Sequence, residues 1–319
     1  MKLRVPAFYR DLRALPALAR TLAAKAGRWM RTLRPWRITT PCRKVKYAGV
    51  SFLFWIKMST AILFSPVKSK RCPFLNSENL CDMHIAIGGE HTPFTCRTFP
   101  RFINDFGALR EMGLSFSCPV AAEMMFDPKY DFSFTEEMND LPPTLNDIDA
   151  QLYFTLLSAR KTAYALVQDS TKPLARCLAE LLDFAEELQG QIGELPTVTE
   201  KMDFRSVFQN PELINPQWPE KVAAGDLTAP VGESHFGRQI AMYFLFRYFL
   251  NLGLEGDVLS AAKMAVVGVL VPTYFGTDSW VMHLWSKETE HSDVNMERYR
   301  RLLHSADCLS VPALKSRLV

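Results

Sequence analysis

"HFGRQIAMYFLFRYFLNLG" (residues 235–253) and "DVLSAAKMAVVGVLVPTYFG" (residues 257–276) decide the fold class. Both read as apolar helices, the first stopped by Gly253 and the second capped by Asp257. Upstream, Ile148, Leu152, Leu156, Ala159, Ala163 and Leu166 recur on one helical face behind Asn146, a candidate N-cap. Thr171 and Pro173 open another helix, with Leu174, Cys177, Leu178, Leu181, Ala185, Leu188 and Ile192 as its stripe. The stretch 196–221 between these elements is an irregular connection. "WSKETEHSDVNMERYRRLLHSA" (285–306) alternates acids and bases, as a helix face toward water does. Residues 131–319 therefore read as an α-helical domain, entered through a linker over 131–146.

Working outward, residues 71–130 form a cysteine-rich segment broken by Pro73, Gly88-Gly89, Pro93, Pro100, Gly107 and Pro119. That density of breakers permits loops and short helices, with a strand over "LREMGLSFSC" (109–118). Residues 1–70 form a third region. Its first 46 residues hold thirteen Lys or Arg and one acid, Asp11, and Leu12, Leu15, Leu18 and Leu22 fall at helical spacing. The fold class expected is mainly α: an irregular metal-binding segment followed by a helical bundle.

A formal charge of +3 over 319 residues points to neither nucleic acid nor membrane as partner. Arginines interrupt the start before a secretory signal can form, and Lys57 breaks the apolar stretch Ala48–Ser65, so no stable membrane span is expected. The expected compartment is the cytoplasm. Seven cysteines cannot all pair, and clustered thiols in a reducing compartment more often bind metal or do redox work.

Four cysteines lie in the central segment: Cys72, Cys81, Cys96 and Cys118. Their spacing lacks the repeated chelating turn of a zinc ribbon, though Cys81 and His84 are three apart and His91 follows. Metal ligation and simple burial of small apolar thiols both account for them. Cys177 belongs to a helical stripe and reads as core, as do Met124, Met125, Phe244, Phe246 and Phe249. Cys42 and Cys308 have no visible partner in the sequence. "AIGGEH" (86–91) lacks the surroundings of a nucleotide loop.

"CPFLNSENLC" (72–81), "TCRTFPRFIN" (95–104) and "LSFSCP" (114–119) resemble the cysteine segment of the flagellin lysine-N-methylase family. "YFLFRYF" (243–249) and "KETEHSDVN" (287–295) are similar to its C-terminal half, so the resemblance runs from residue 71 to the end. It implies a bacterial enzyme that methylates flagellin lysines with S-adenosylmethionine as donor. It also implies a metal centre, an iron–sulfur cluster with zinc as alternative, held by Cys72, Cys81, Cys96 and Cys118. The family opens with a dense cluster of the type Cys-x3-Cys-x3-Cys-Cys, where this chain carries Cys42 alone. A non-catalytic metal- or iron–sulfur-binding relative with a degenerate N-terminus is the second reading.

Methylation needs a neutral amine, and lysine titrates near ~10.4, so a proton acceptor is required. Glu290 and His291, in a group with Glu288, Asp293 and Asn295, are the catalytic candidates; a solvated helix end capped by Ser292 or Asp293 is the plainer reading. Arg247 and Tyr248 lie inside an apolar helix, and a buried arginine needs a partner. They are candidates for binding the methyl donor or for a structural ion pair. Arg97 and Arg101, beside Cys96, would offset cluster charge or pair with acids. No glycine-rich strand–helix turn marks a Rossmann-like donor site.

Overall fold

The structure is a computed structural model that describes residues 1–10, 46–47, 50–51, 72, 74–78, 80–144 and 147–318. The helix expected over Leu12–Leu22, Cys42, the apolar stretch from residue 52 onward and the cap at Asn146 lie outside the described residues. The chain forms two compact units, residues 1–19 with 100–319 and residues 20–99. The division falls at Pro100, inside the cysteine-rich segment, because the strands after Pro100 pair with the first strand of the chain.

The described residues are mostly helical with a small four-stranded sheet. In chain order the strands are β1 (Lys2–Pro6), β2 (Lys46–Tyr47), β3 (Val50–Ser51), β4 (Arg101–Phe106), β5 (Leu109–Leu114) and β6 (Phe134–Met138). β2 and β3 form a separate two-stranded pair. The helices are α1 (Asp82–Ile87), α2 (Phe94–Thr98), α3 (Pro119–Phe126), α4 (Ala150–Gln168), α5 (Leu174–Ile192), α6 (Gln217–Ala224), α7 (His235–Leu254), α8 (Val258–Phe275), α9 (Ser279–Thr289), α10 (Asp293–Ser305) and α11 (Val311–Ser316).

The sheet order is β4-β5-β1-β6, with β1 parallel to β5 and antiparallel to β6. The strand expected over 109–118 is present as β5 but ends at Leu114, and Ser115–Cys118 turn into α3. The expected linker over 131–146 is not simply a linker, since Phe134–Met138 pairs with β1 from Pro6↔Phe134 to Lys2↔Met138. Its edge position explains the misreading: Glu136, Glu137 and Met138 are exposed, so the stretch lacks a clean apolar alternation. Gly107, at φ +59°, makes the tight β4–β5 turn.

One sheet face carries Phe102, Glu111, Arg4 and Phe134 toward α4 and α7, with Arg4 directly opposite Glu111. Phe102 and Phe134 meet Phe246, with ring centres 5.9 and 5.1 Å apart. Glu111, fully buried, takes two bonds from Arg160 of α4 at 2.6 and 2.8 Å and one from Arg4 at 3.1 Å. Burial of a carboxylate is tolerable only with this kind of pairing.

α5 buries the predicted stripe from Leu174 to Leu188, including Cys177, while its last member, Ile192, is half-buried. α4 starts at Asp149, whose carboxylate accepts from the Leu152 amide at 2.7 Å. α7 runs through Gly253 rather than stopping there. A Cβ at that position would sit 2.7 Å from Leu156, so the glycine permits close packing of α7 on α4, while Gly256 at φ +85° makes the turn. α8, capped by Asp257 through the Ser260 amide at 3.2 Å, is long and apolar enough to cross a membrane, yet its side chains are buried against the other helices. Each large apolar side chain so buried contributes roughly 1.5–3 kcal/mol.

The connection 196–221 contains a 3-10 turn, Phe204–Phe208, and the start of α6. It is tied down by the α9–α10 junction. Glu288, fully buried, accepts from the amides of Ile214, at 3.0 Å, and Asn215. Asn295 bonds the Glu212 amide and carbonyl at 2.9 and 2.8 Å.

Candidate functional site

α7 is apolar on nearly every side, and Tyr243, Arg247 and Tyr248 are its exceptions near one end of the sheet. Their polar ends converge on Glu290, the C-cap of α9, whose side chain is 1% exposed. The Arg247 guanidinium lies 3.0 Å from the carboxylate. Tyr248 donates to it at 2.6 Å and Tyr243 at 3.1 Å, and the Ser286 hydroxyl, one turn earlier on α9, completes the set. The plainer expectation for Glu290, a solvated helix end, is thereby overturned; Ser292, however, does cap α10 through the Asn295 amide at 3.2 Å.

The network extends to the β5–α3 loop. Ser115 Oγ accepts from Arg247 at 3.3 Å, stands 3.0 Å from His291 Nε2 and 2.9 Å from Ser117 Oγ. Burial, then the positive charges of Arg247 and Lys287, push the His291 imidazole well below its ordinary range. His283, two turns earlier and tilted against Trp280 with ring centres 4.7 Å apart, is pushed down to about 4 by burial and by Lys287. Both histidines are therefore neutral near pH 7, and the burial and positive charge that keep them so also oppose their protonation. Glu290, by contrast, already serves an arginine and three hydroxyls.

All four non-cysteine candidates, Arg247, Tyr248, Glu290 and His291, thus belong to one constellation. Tyr243, Ser115, Ser117 and Ser286 also belong to it and were not singled out. Ser115 and Ser117 sit inside "LSFSCP", which was the available signal.

In the unit of residues 20–99, Asn76 builds a side-chain turn that accepts from the Glu78 and Leu80 amides, each at 3.0 Å. The turn folds the chain back so that Leu75 bridges Cys81 and the Leu75 amide bonds the Cys72 carbonyl at 3.2 Å. Crowding around the sulfur, then the neighbouring Cys72 and Cys81 thiols, push the Cys96 thiol up to about 11, although the residue as a whole is exposed. Burial raises Cys72 too, with Cys81 adding to the effect. Three thiols therefore feel one another.

Cys81 precedes α1 and His84 lies within it, its ring packed over Gly89. Arg97 covers the Phe94 ring and Arg101 the Tyr9 ring, at 5.9 and 5.7 Å. Cys118 belongs to the other unit, where it is 1% exposed and precedes α3. Burial raises its thiol, while the Val120 and Ala121 amides pull it down. Among the described residues no three His, Cys, Asp or Glu side chains are grouped so as to hold a metal ion. The thiols supply the right donor chemistry for the expected centre.

Compared with protein-family models, characterised proteins and solved structures, the chain matches none.

Proposed function

We propose that the chain is a cytoplasmic protein-lysine N-methyltransferase that acts on flagellin with S-adenosylmethionine as donor. One observation carries this reading. Three words of the family resemblance that are far apart in sequence, "LSFSCP", "YFLFRYF" and "KETEHSDVN", meet through Ser115, Arg247, Glu290 and His291 in one buried polar network. In the proposed reaction a neutral lysine amine attacks the donor's methyl carbon. The sulfonium keeps the bonding pair and leaves as the thioether. His291 is the group this reading assigns to receive the amine proton before transfer. Arg247 and Tyr248 hold Glu290 in place and are the residues this reading assigns to the donor's site. Cys72, Cys81, Cys96 and Cys118 are the ligands this reading assigns to a metal centre, through which no step is drawn.

The test is mass spectrometry of flagellin co-expressed with the chain in a cell that lacks a lysine methylase. Methylated lysines are expected. Unmodified flagellin beside soluble chain would overturn the reading.

The saturation of Glu290 by four donors favours a second reading, a metal- or iron–sulfur-binding relative that transfers no methyl group. It predicts purified chain that carries iron or zinc and leaves flagellin unmodified.

A further inference from the structure

The Arg247 guanidinium carbon lies 4.7 Å from the centre of the Phe102 ring, 5.2 Å from that of Tyr248 and 5.8 Å from that of Tyr243. Glu290 adds a carboxylate oxygen 3.0 Å from the guanidinium. Three aromatic rings and one carboxylate are the parts of a site for an organic cation. Ring quadrupoles attract positive charge without asking for hydrogen bonds, which an alkylated onium group cannot donate.

Here the cation is the chain's own. The Arg247 side chain is 14% exposed and that of Glu290 is 1% exposed, so solvent reaches the cage at the arginine and not at the carboxylate. The cage is also held rigidly. Phe102 is fixed between Tyr243 and Phe246, with ring centres 5.9 Å away in each case, and Tyr248 stacks on Phe244 at 6.0 Å. The backbone of Arg247 is pinned separately, because Asn104 and Asn251 both bond its carbonyl at 2.9 Å. The side chain can leave the rings without disturbing the helix.

We propose that Phe102, Tyr243, Tyr248 and Glu290 form a binding site for an alkylated onium group, and that Arg247 is its built-in occupant. The choice of ligand rests on the methyltransferase reading. A methylated lysine ammonium and the donor's sulfonium share this chemistry, and either would displace the arginine. Binding makes and breaks no covalent bond. Because the ligand competes with an ion pair already formed, the intact chain binds it weakly, and removal of the arginine exposes the site.

The experiment uses Arg247→Ala in the full chain and follows its thermal midpoint at constant ionic strength. The probes are Nα-acetyl-Nε,Nε,Nε-trimethyl-lysine and S-adenosylmethionine. The controls, Nα,Nε-diacetyl-lysine and S-adenosylhomocysteine, lack the onium group. At least one onium probe raises the midpoint of Arg247→Ala by about 2–4 °C. That rise comes on top of any response of the wild-type chain and disappears once Glu290→Gln is added. A response to the lysine probe alone assigns the cage to the substrate amine, and a response to the sulfonium alone assigns it to the donor. No response to either probe, or an equal response to the controls, overturns the proposal. Arg247→Gln, which keeps length without charge, replaces the alanine variant if that does not fold, with the same dependence on Glu290 required. Onium binding by a chain that leaves flagellin unmodified would remove the transferase reading and leave the cage. Methylation of flagellin by a chain whose Arg247→Ala variant ignores both probes would do the opposite.

Discussion

Arg247 and Glu290 join the middle of α7 to the end of α9 through a 3.0 Å ion pair whose carboxylate is 1% exposed. Water screens this pair poorly, and neither partner can be removed without stranding the other. Glu290→Ala is expected to lower the unfolding free energy by about 3–5 kcal/mol. Arg300 and Glu255 provide the contrast, since their side chains are 41% and 57% exposed. Arg300→Ala should cost at most about 1 kcal/mol. Urea unfolding of both variants checks the difference, and equal costs would show that the Glu290 network is not a buried anchor.

Acid should weaken the fold through the two neutral histidines. Burial holds His283 down to about 4 and pushes His291 below its ordinary range, whereas both titrate near ~6.5 in the unfolded chain. Between those values the unfolded chain binds more protons, so stability is full above pH ~6.5 and falls as the pH drops toward 4. For His283 alone the loss is on the order of 3 kcal/mol. His283→Gln should flatten the acid limb of a plot of thermal midpoint against pH. An unchanged slope would mean that His283 does not carry it.

Much of the helical part was legible because its side chains repeat at helical spacing. The stripe from Leu174 to Leu188 lies buried as read, and Asp257 and Ser292 cap the helices they precede. The sheet was much less legible. β1 has only five residues, and its partners lie more than a hundred positions away at Leu109 and Met138, so no local pattern announces it. Arg4 breaks any apolar alternation there, and its bonds to Glu111 and Glu136 on the flanking strands explain it. In the site, an arginine inside an apolar helix signalled a buried partner, which proved to be Glu290. The tyrosine and serine hydroxyls around that carboxylate carried no such signal. Hydroxyl residues are common on every kind of surface, and spacing along one helix cannot say which of them meet another.

Lys263 predicts a trend of the same sign at the alkaline end. It is 3% exposed on α8, and its ammonium donates to the Leu303 carbonyl at 2.6 Å. Burial lowers it to about 8, only partly offset by Asp257 and Glu186. The folded chain therefore sheds this proton before the unfolded chain, which titrates near ~10.4. Stability contributed by this group should rise as the pH rises from about 8 toward 10. Lys263→Met should lose that rise, whatever the substitution does to stability at pH 7. Thermal midpoints of both chains across this range decide it. A rise that persists in Lys263→Met would assign it to another group.

The thiol neighbourhood makes a prediction independent of any metal. Cys96 is pushed up to about 11 by crowding and by Cys72 and Cys81, so at pH 7 almost none of it is thiolate, the form that alkylates. Iodoacetamide should label Cys96 slowly at pH 7, despite the exposure of the residue, and much faster above pH 9. Replacing both Cys72 and Cys81 by serine removes the two neighbouring sulfurs that disfavour its negative charge. The onset of labelling at Cys96 should then move to lower pH, although crowding keeps it above that of a free cysteine. Peptide mass spectrometry against pH reads each site separately. An onset that stays in place in the double variant would show that the three sulfurs do not feel one another. That result would remove the electrostatic support for treating Cys72, Cys81 and Cys96 as one ligand set.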